Sequence, residues 1–173
     1  MLRFVLGPGG RVYFDLKQNL PGESVAVKNS KALLTKMIAE FAFRDMFAKK
    51  LNPEEYESVI CLPEEVTKQY LEYILQIISL ANKAGALIIG KRRVEDCISS
   101  SKNTHHVLIV QAIDASASEK FRCDGKIPVV EIFSKEQLSK ACGKENLLYT
   151  AVLGDFAKKV THFAAKYQEY ICN

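Results

Sequence analysis

The sequence predicts an α/β protein: a small α+β unit followed by a three-layer α/β/α sandwich. Three observations carry this. Between Gly85 and Leu153, apolar runs of four to seven residues alternate with stretches of helical periodicity, a pattern that calls for a sheet covered on both faces. Residues 1–52 instead hold three strand-like runs broken by Gly/Pro turns, then one helical stretch. Between the two, residues 53–69 carry five acidic residues against one Lys and contain proline-led helix starts, which marks a joint.

Taken in order, Leu2-Arg3-Phe4-Val5-Leu6 alternates like a strand, Gly7-Pro8-Gly9-Gly10 turns the chain, and Arg11 to Asp15 resumes as a second strand. Asn19-Leu20-Pro21-Gly22 makes another turn before a third strand, Ser24 to Val27. Ser30 is placed to cap a helix with Leu34, Met37, Ile38 and Phe41 on one face. A unit of roughly 50 residues is short of core, so it is expected to lean on its neighbour. Asn52-Pro53-Glu54-Glu55 and Leu62-Pro63-Glu64-Glu65 both read as helix starts. From Pro63 the apolar positions Leu71, Ile74, Leu75, Ile78 and Ala81 define a helix of about six turns, with Lys83 in its last turn and Gly85 just past its end.

Beyond it lie a short buried strand over the four apolar residues between Gly85 and Gly90, Ala86 to Ile89, and a helix after Gly90. Then come a strand over His106 to Val110, a short helix over Ser116 to Arg122, a strand over Ile127 to Phe133, a helix over Lys135 to Cys142 and a strand over Leu147 to Leu153. Phe156, Val160, Phe163, Tyr167 and Tyr170 fall on one face of a final helix.

The totals exclude several classes. No apolar run approaches the ~20 residues of a membrane span; Leu71 to Leu80 is the richest and is broken by Glu72, Gln76 and Ser79. The five cysteines are odd in number and lack paired spacing, which argues against a disulfide framework or a zinc site and for a reducing cytoplasm. Four of them are expected where a small apolar residue would serve. No Gly-x-Gly-x-x-Gly, Gly-x-x-x-x-Gly-Lys-Ser/Thr, Gly-x-Ser-x-Gly or His-Glu-x-x-His motif is present, so the usual nucleotide cradles, nucleophile elbow and zincin helix are missing. No cofactor or metal is expected. His105 and His106 read as the start of a strand, His162 has no ligand partner at the right spacing, and Asp114 and Asp155 read as helix caps.

Charge is more informative by position than by total. Residues 1–52 hold nine Lys/Arg against four Asp/Glu, and residues 70–173 hold fourteen against eleven. Two basic modules thus flank an acidic joint, which suits an anionic partner such as RNA or reflects ordinary solvated surface. The sharpest local signal is Gly90-Lys91-Arg92-Arg93. Three cations occupy the first turn of a helix, the end where exposed N–H groups are already partly positive. Each costs roughly 0.3–1 kcal/mol there, yet the combination favours a phosphate. Gly143-Lys144-Glu145-Asn146 lies between a helix and a strand, at the same kind of edge as the Gly90 turn. Its glycine is first of all a helix stop, and its role depends on whether it lies beside the Gly90 turn.

Residues 70–165 resemble the kink-turn RNA-binding ribosomal-protein superfamily, the archaeal large-subunit protein seven-Ae and bacterial relatives such as YlxQ. The resemblance lies in Ile78-Ser79-Leu80-Ala81-Asn82-Lys83-Ala84-Gly85-Ala86-Leu87-Ile88-Ile89-Gly90, Pro128-Val129-Val130, Phe133-Ser134-Lys135-Glu136-Gln137-Leu138, Gly143 to Asn146 and Phe156-Ala157-Lys158-Lys159. Residues 2–28 resemble the bacterial YlxR family through Leu2-Arg3-Phe4-Val5, Gly10-Arg11-Val12, Asp15-Leu16 and Leu20-Pro21-Gly22. The resemblance implies a YlxR-like unit (1–52), an acidic helical joint (53–69) and a seven-Ae-like domain (70–173), with no enzyme activity.

It also implies that the Gly90 turn is the recognition loop. In the superfamily that loop reads Gly-x-Asn-Glu with a Lys three positions later; here those positions are Arg92, Arg93 and Asp96. The amide and carboxylate that read bases are replaced, and phosphate contact is gained. In the first unit, the YlxR Gly-Arg-Gly is Gly22-Glu23-Ser24. The expectation is a cytoplasmic, non-enzymatic protein that binds structured RNA, ribosomal or RNase P-like, with ribosome or RNase P components as possible company and no membrane. Lys83, Gly90, Lys91, Arg92, Arg93, Lys144 and Asn146 are its expected contacts, with Arg3 and Arg11 in the first unit. The alternative is a protein-interaction or ribosome-assembly scaffold that has lost specific RNA recognition.

Overall fold

The computed structural model describes residues 1–47, 56–100, 106–121 and 127–173. The chain is α/β and divides into two compact units, Met1–Tyr70 with Lys166–Asn173, and Leu71–Ala165.

In the first unit, β1 (Leu2–Leu6), β2 (Val12–Phe14) and β3 (Ser24–Val27) form an antiparallel sheet in the order β2-β1-β3. The Gly7–Gly10 segment closes the hairpin, with Gly9 and Gly10 at φ 78° and 81°, values open to glycine without steric cost. Register sets Phe4 opposite Phe14, so alternate residues Leu2, Phe4, Phe14 and Val27 point to the buried face. Ser30 Oγ accepts from Leu33 N at 3.1 Å and starts α1 (Lys31–Ala39), which buries Leu34 and Ile38. Phe41 departs from the expected face: it lies past the end of α1 at φ 57° and is 57% exposed. The helix stops too early to carry it to the core. Phe43 in α2 (Ala42–Met46) takes that place, packed edge to face with Phe4 at 5.2 Å between ring centroids. α3 (Tyr56–Ile60) follows, and the helix start expected at Asn52 to Glu55 lies outside the described residues.

α4 (Leu62–Lys83) and α7 (Gly154–Cys172) each cross the boundary between the units in sequence. In the first unit Tyr70 of α4 packs with Phe14, Tyr167 and Tyr170 at 5.7, 6.3 and 6.1 Å between centroids. Tyr170 is fully buried and its hydroxyl donates to Pro63 O at 3.0 Å.

The second unit holds β4 (Leu87–Ile89), α5 (Lys91–Ser100), β5 (Val107–Ala112), β6 (Val129–Phe133), α6 (Lys135–Cys142) and β7 (Tyr149–Leu153). Its sheet runs β4-β7-β5-β6, parallel between β5 and β6 and antiparallel elsewhere. All six residues of β5 are buried, the burial of a strand covered on both faces. Ala86 N bonds back to Ala81 O at 2.9 Å, and Gly85 at φ 71° ends α4. Ser134 and Gln137 form a reciprocal capping box at the start of α6, and Gly143 at φ 62° stops it.

Two expectations are corrected here. Residues 116–121 make one hydrogen-bonded turn and no helix. Lys120 N reaches Ser116 O at 3.0 Å, but Phe121 N is taken by the side chain of Gln111 at 2.6 Å, so the ladder cannot continue. The cysteines are also less buried than expected. Of those described, Cys142 is buried, Cys97 half-buried, and Cys61 and Cys172 exposed.

Candidate functional site

α5 begins where glycine is required. Gly90 sits at φ 105° and its carbonyl accepts from Val94 N at 3.0 Å, so it occupies the N-cap position without a side chain to cap. Val94, 0% exposed, anchors the helix in a core cluster with Val107, Ile109, Ile127, Tyr149 and Ala151. With that face fixed, Lys91, Arg92 and Arg93 are left exposed in the first turn, which holds no acidic residue.

The second turn is built from the end of α6. Lys144 N donates to Ser139 O at 3.0 Å, Leu147 N donates to Ser139 Oγ at 2.9 Å, and Asn146 adopts φ 55°. Asn82 Nδ2 holds Cys142 O at 2.9 Å just before it. The two turns line one groove of about 690 Å³, together with Ile89, Glu95, Tyr149 and the Ser118–Phe121 segment. Their side-by-side placement is what the spacing of the sequence left open.

The third wall had no counterpart in the sequence reading. Gln111, 1% exposed, accepts from Phe121 N and donates to Glu131 Oε1 at 2.9 Å, while Glu131 Oε2 takes Lys120 Nζ at 2.6 Å. These bonds hold Phe121 against Tyr149, ring centroids 5.3 Å apart. Burial, and secondarily the Glu95 carboxylate, push the Tyr149 phenol up, keeping it a neutral hydroxyl. The sequence signal for this wall is a polar residue, Gln111, inside an apolar strand.

Of the residues expected to bind, Gly90, Lys91, Lys144 and Asn146 line the groove. Arg92 and Arg93 lie in the same helical turn outside it, and Lys83 is exposed at the end of α4. In the first unit, Arg3 forms an ion pair with buried Asp15, which also accepts from Asn19 N and Leu20 N. The Arg11 guanidinium lies over the Tyr13 ring, 5.4 Å from its centroid. Asp114, expected to cap the helix after β5, instead accepts from Lys135 N at 2.8 Å at the start of α6. Asp155 pairs with Lys158 at 3.0 Å in the first turn of α7, and that hydrogen bond draws its carboxyl below the usual range.

No family model matches the chain. A curated relative, the RNA-binding protein YlxQ of Enterococcus faecium, is 31% identical over 90 residues, which cover 49% of this chain and 84% of that protein. Among solved structures, a protein of unknown function from Bacillus halodurans C is similar with a TM-score of 0.47 and 23% identity, over 53% of this chain and 96% of the other.

Proposed function

Because the chain belongs to the family of the RNA-binding protein YlxQ, we propose that it binds structured RNA, ribosomal or RNase P-like, without catalysing a reaction. The observation that carries this is the single groove shared by the Gly90 and Gly143–Asn146 turns. Cations at an uncapped helix start grip phosphates through charge and through free backbone N–H groups together. Lys91, Arg92 and Arg93 supply that grip, Lys144 adds a fourth cation across the groove, and Lys83 extends the basic surface. Phe121 and Tyr149 offer flat walls where an unstacked base can lie. In this reading residues 1–52 are a YlxR-like unit, 53–69 a joint and 70–173 the main RNA-binding domain, with Arg11 and the exposed part of Arg3 as further contacts.

The test is filter binding of total cellular RNA by the full chain at two salt concentrations. The K91A/R92A/R93A variant is expected to bind more weakly and to depend less on salt, the slope of log affinity against log salt flattening by about 0.7 per lost contact. Unchanged binding by the triple variant would remove the Gly90 turn from the interface.

A further inference from the structure

The turn of the first hairpin fixes a guanidinium that has no anion of its own. Gly7 N donates to Arg11 O at 2.9 Å and Gly10 N donates to Gly7 O at 3.3 Å, which pins the Arg11 backbone just ahead of β2. Tyr13, two residues on, shares a face of the sheet with Val5, its partner in register. Its ring fills the space that a side chain on Gly7 would take: a Cβ there would stand 2.5 Å from Tyr13 Cε2 and 2.9 Å from Cδ2. Gly7 has φ −93° in extended backbone, a conformation open to any residue, so the ring and not the backbone calls for glycine. The Arg11 guanidinium is carried over this seated ring, 5.4 Å from its centroid.

The two arginines of the hairpin therefore differ. Arg3 is ion-paired with Asp15, whose side chain is 2% exposed, so its charge is already met. Arg11 is exposed, and among the described residues its side chain has the Tyr13 ring for company but no hydrogen-bond or ion-pair partner. Stacking on an aromatic ring occupies the flat face of a guanidinium and leaves its N–H donors directed outward in the plane. Adjacent donors in that plane match two oxygens of one phosphate, a bidentate contact that an ammonium cannot reproduce. Holding the fork in place beforehand lowers the ordering cost of binding.

We infer that Tyr13, seated on Gly7, is a positioning residue that presents the Arg11 fork to a phosphodiester of the bound RNA. The inference rests on the RNA-binding reading above and adds to it a second grip. This one depends on a stacked guanidinium, where the Gly90 turn depends on charge and free N–H groups.

Filter binding of total cellular RNA by the full chain tests this, with the urea midpoint of each variant read alongside. Y13L is expected to weaken binding about two- to fivefold, the range of an exposed cation–π contact, and Y13F, which keeps the ring, to bind like the parent. R11A is expected to flatten the salt slope by about 0.7. R11K keeps the charge and loses the fork, so it is expected to weaken binding with the slope retained. G7A alters neither side chain, yet its Cβ displaces the ring; it is expected to weaken binding as Y13L does and to add nothing in a Y13L background. A Y13L loss that persists in an R11A background, or a loss in Y13F, overturns the inference by making Tyr13 itself the contact. Parent-like affinity of R11K, whose exposed position puts no load on the fold, overturns the fork. Parent-like binding by Y13L and G7A overturns the positioning and leaves the RNA reading intact, whereas failure of the parent chain to bind RNA overturns both. Neither polyglutamate nor inorganic phosphate, at matched ionic strength, is expected to displace RNA more from the parent than from R11A. If one does, the anion is a carboxylate or the free ion and the phosphodiester is overturned.

Discussion

Gln111 is the residue on which the site's geometry turns, although no expected contact includes it. Its side-chain amide is buried and bonded at both ends, accepting from Phe121 N and donating to Glu131. Replacing it by Leu keeps the volume but leaves a backbone N–H without its partner, a loss of about 1–3 kcal/mol. Q111L is therefore expected to lower the urea midpoint of the second unit and to weaken RNA binding, because Phe121 is no longer held against Tyr149. A variant that unfolds like the parent would show that the Phe121 segment holds itself. The residue-scale reading of the sequence succeeded where the cause is local, as at Ser30, whose hydroxyl and target are three residues apart. It failed at Ser116 to Phe121 because the deciding acceptor comes from another element, ten residues back.

At the scale of the element, α5 is built against its own dipole. Three cations and no acid occupy its first turn, so its stability comes from Val94 and the core beneath it and not from its end charges. Replacing Arg92 by Glu should stabilise the second unit by about 0.3–1 kcal/mol or more, since a repulsion is removed and an attraction added. The same change should weaken RNA binding. Thermal unfolding and filter binding of R92E would move in opposite directions; a fall in both would mean that the arginine is structural. α6 shows the converse. Its capping box and its stop at Gly143 are written in neighbouring residues, and its bounds, Lys135–Cys142, match the expectation from sequence. Strand ends were less legible: β5 continues through Gln111 to Ala112, and β7 begins at Tyr149 rather than Leu147. Ladder partners, which lie far off in sequence, decide where a strand stops.

At the scale of the whole molecule, the sequence shows an α/β chain with a basic turn, but it cannot show that Gly90 and Gly143 meet, because their loops are brought together only by the order of strands in the sheet. The two units also carry different liabilities. In the first, burial, with the Glu169 carboxylate adding to it, pushes the Tyr70 phenol up to about 12, and burial raises Tyr170 further. A phenol whose folded value lies above its unfolded value near 10 contributes stability that is complete below pH 10 and is lost as pH rises towards about 12. The first unit is expected to lose stability across that window, and Y70F to lose less of it, as read by urea unfolding at a series of alkaline pH values. Equal alkaline loss in Y70F would assign the effect to other groups.

The sheet order β4-β7-β5-β6 also has a bearing on synthesis. β4, the strand that leads into the Gly90 turn, is hydrogen-bonded to β7 and to no other described strand. β7 is made some sixty residues later, and it also supplies Tyr149 to the groove. A nascent chain that has produced all three cations still has no surface on which to hold them, because their strand waits for a neighbour that has yet to leave the ribosome. In the reading proposed above, RNA capture by this turn therefore waits until β7 has been made and has paired with β4.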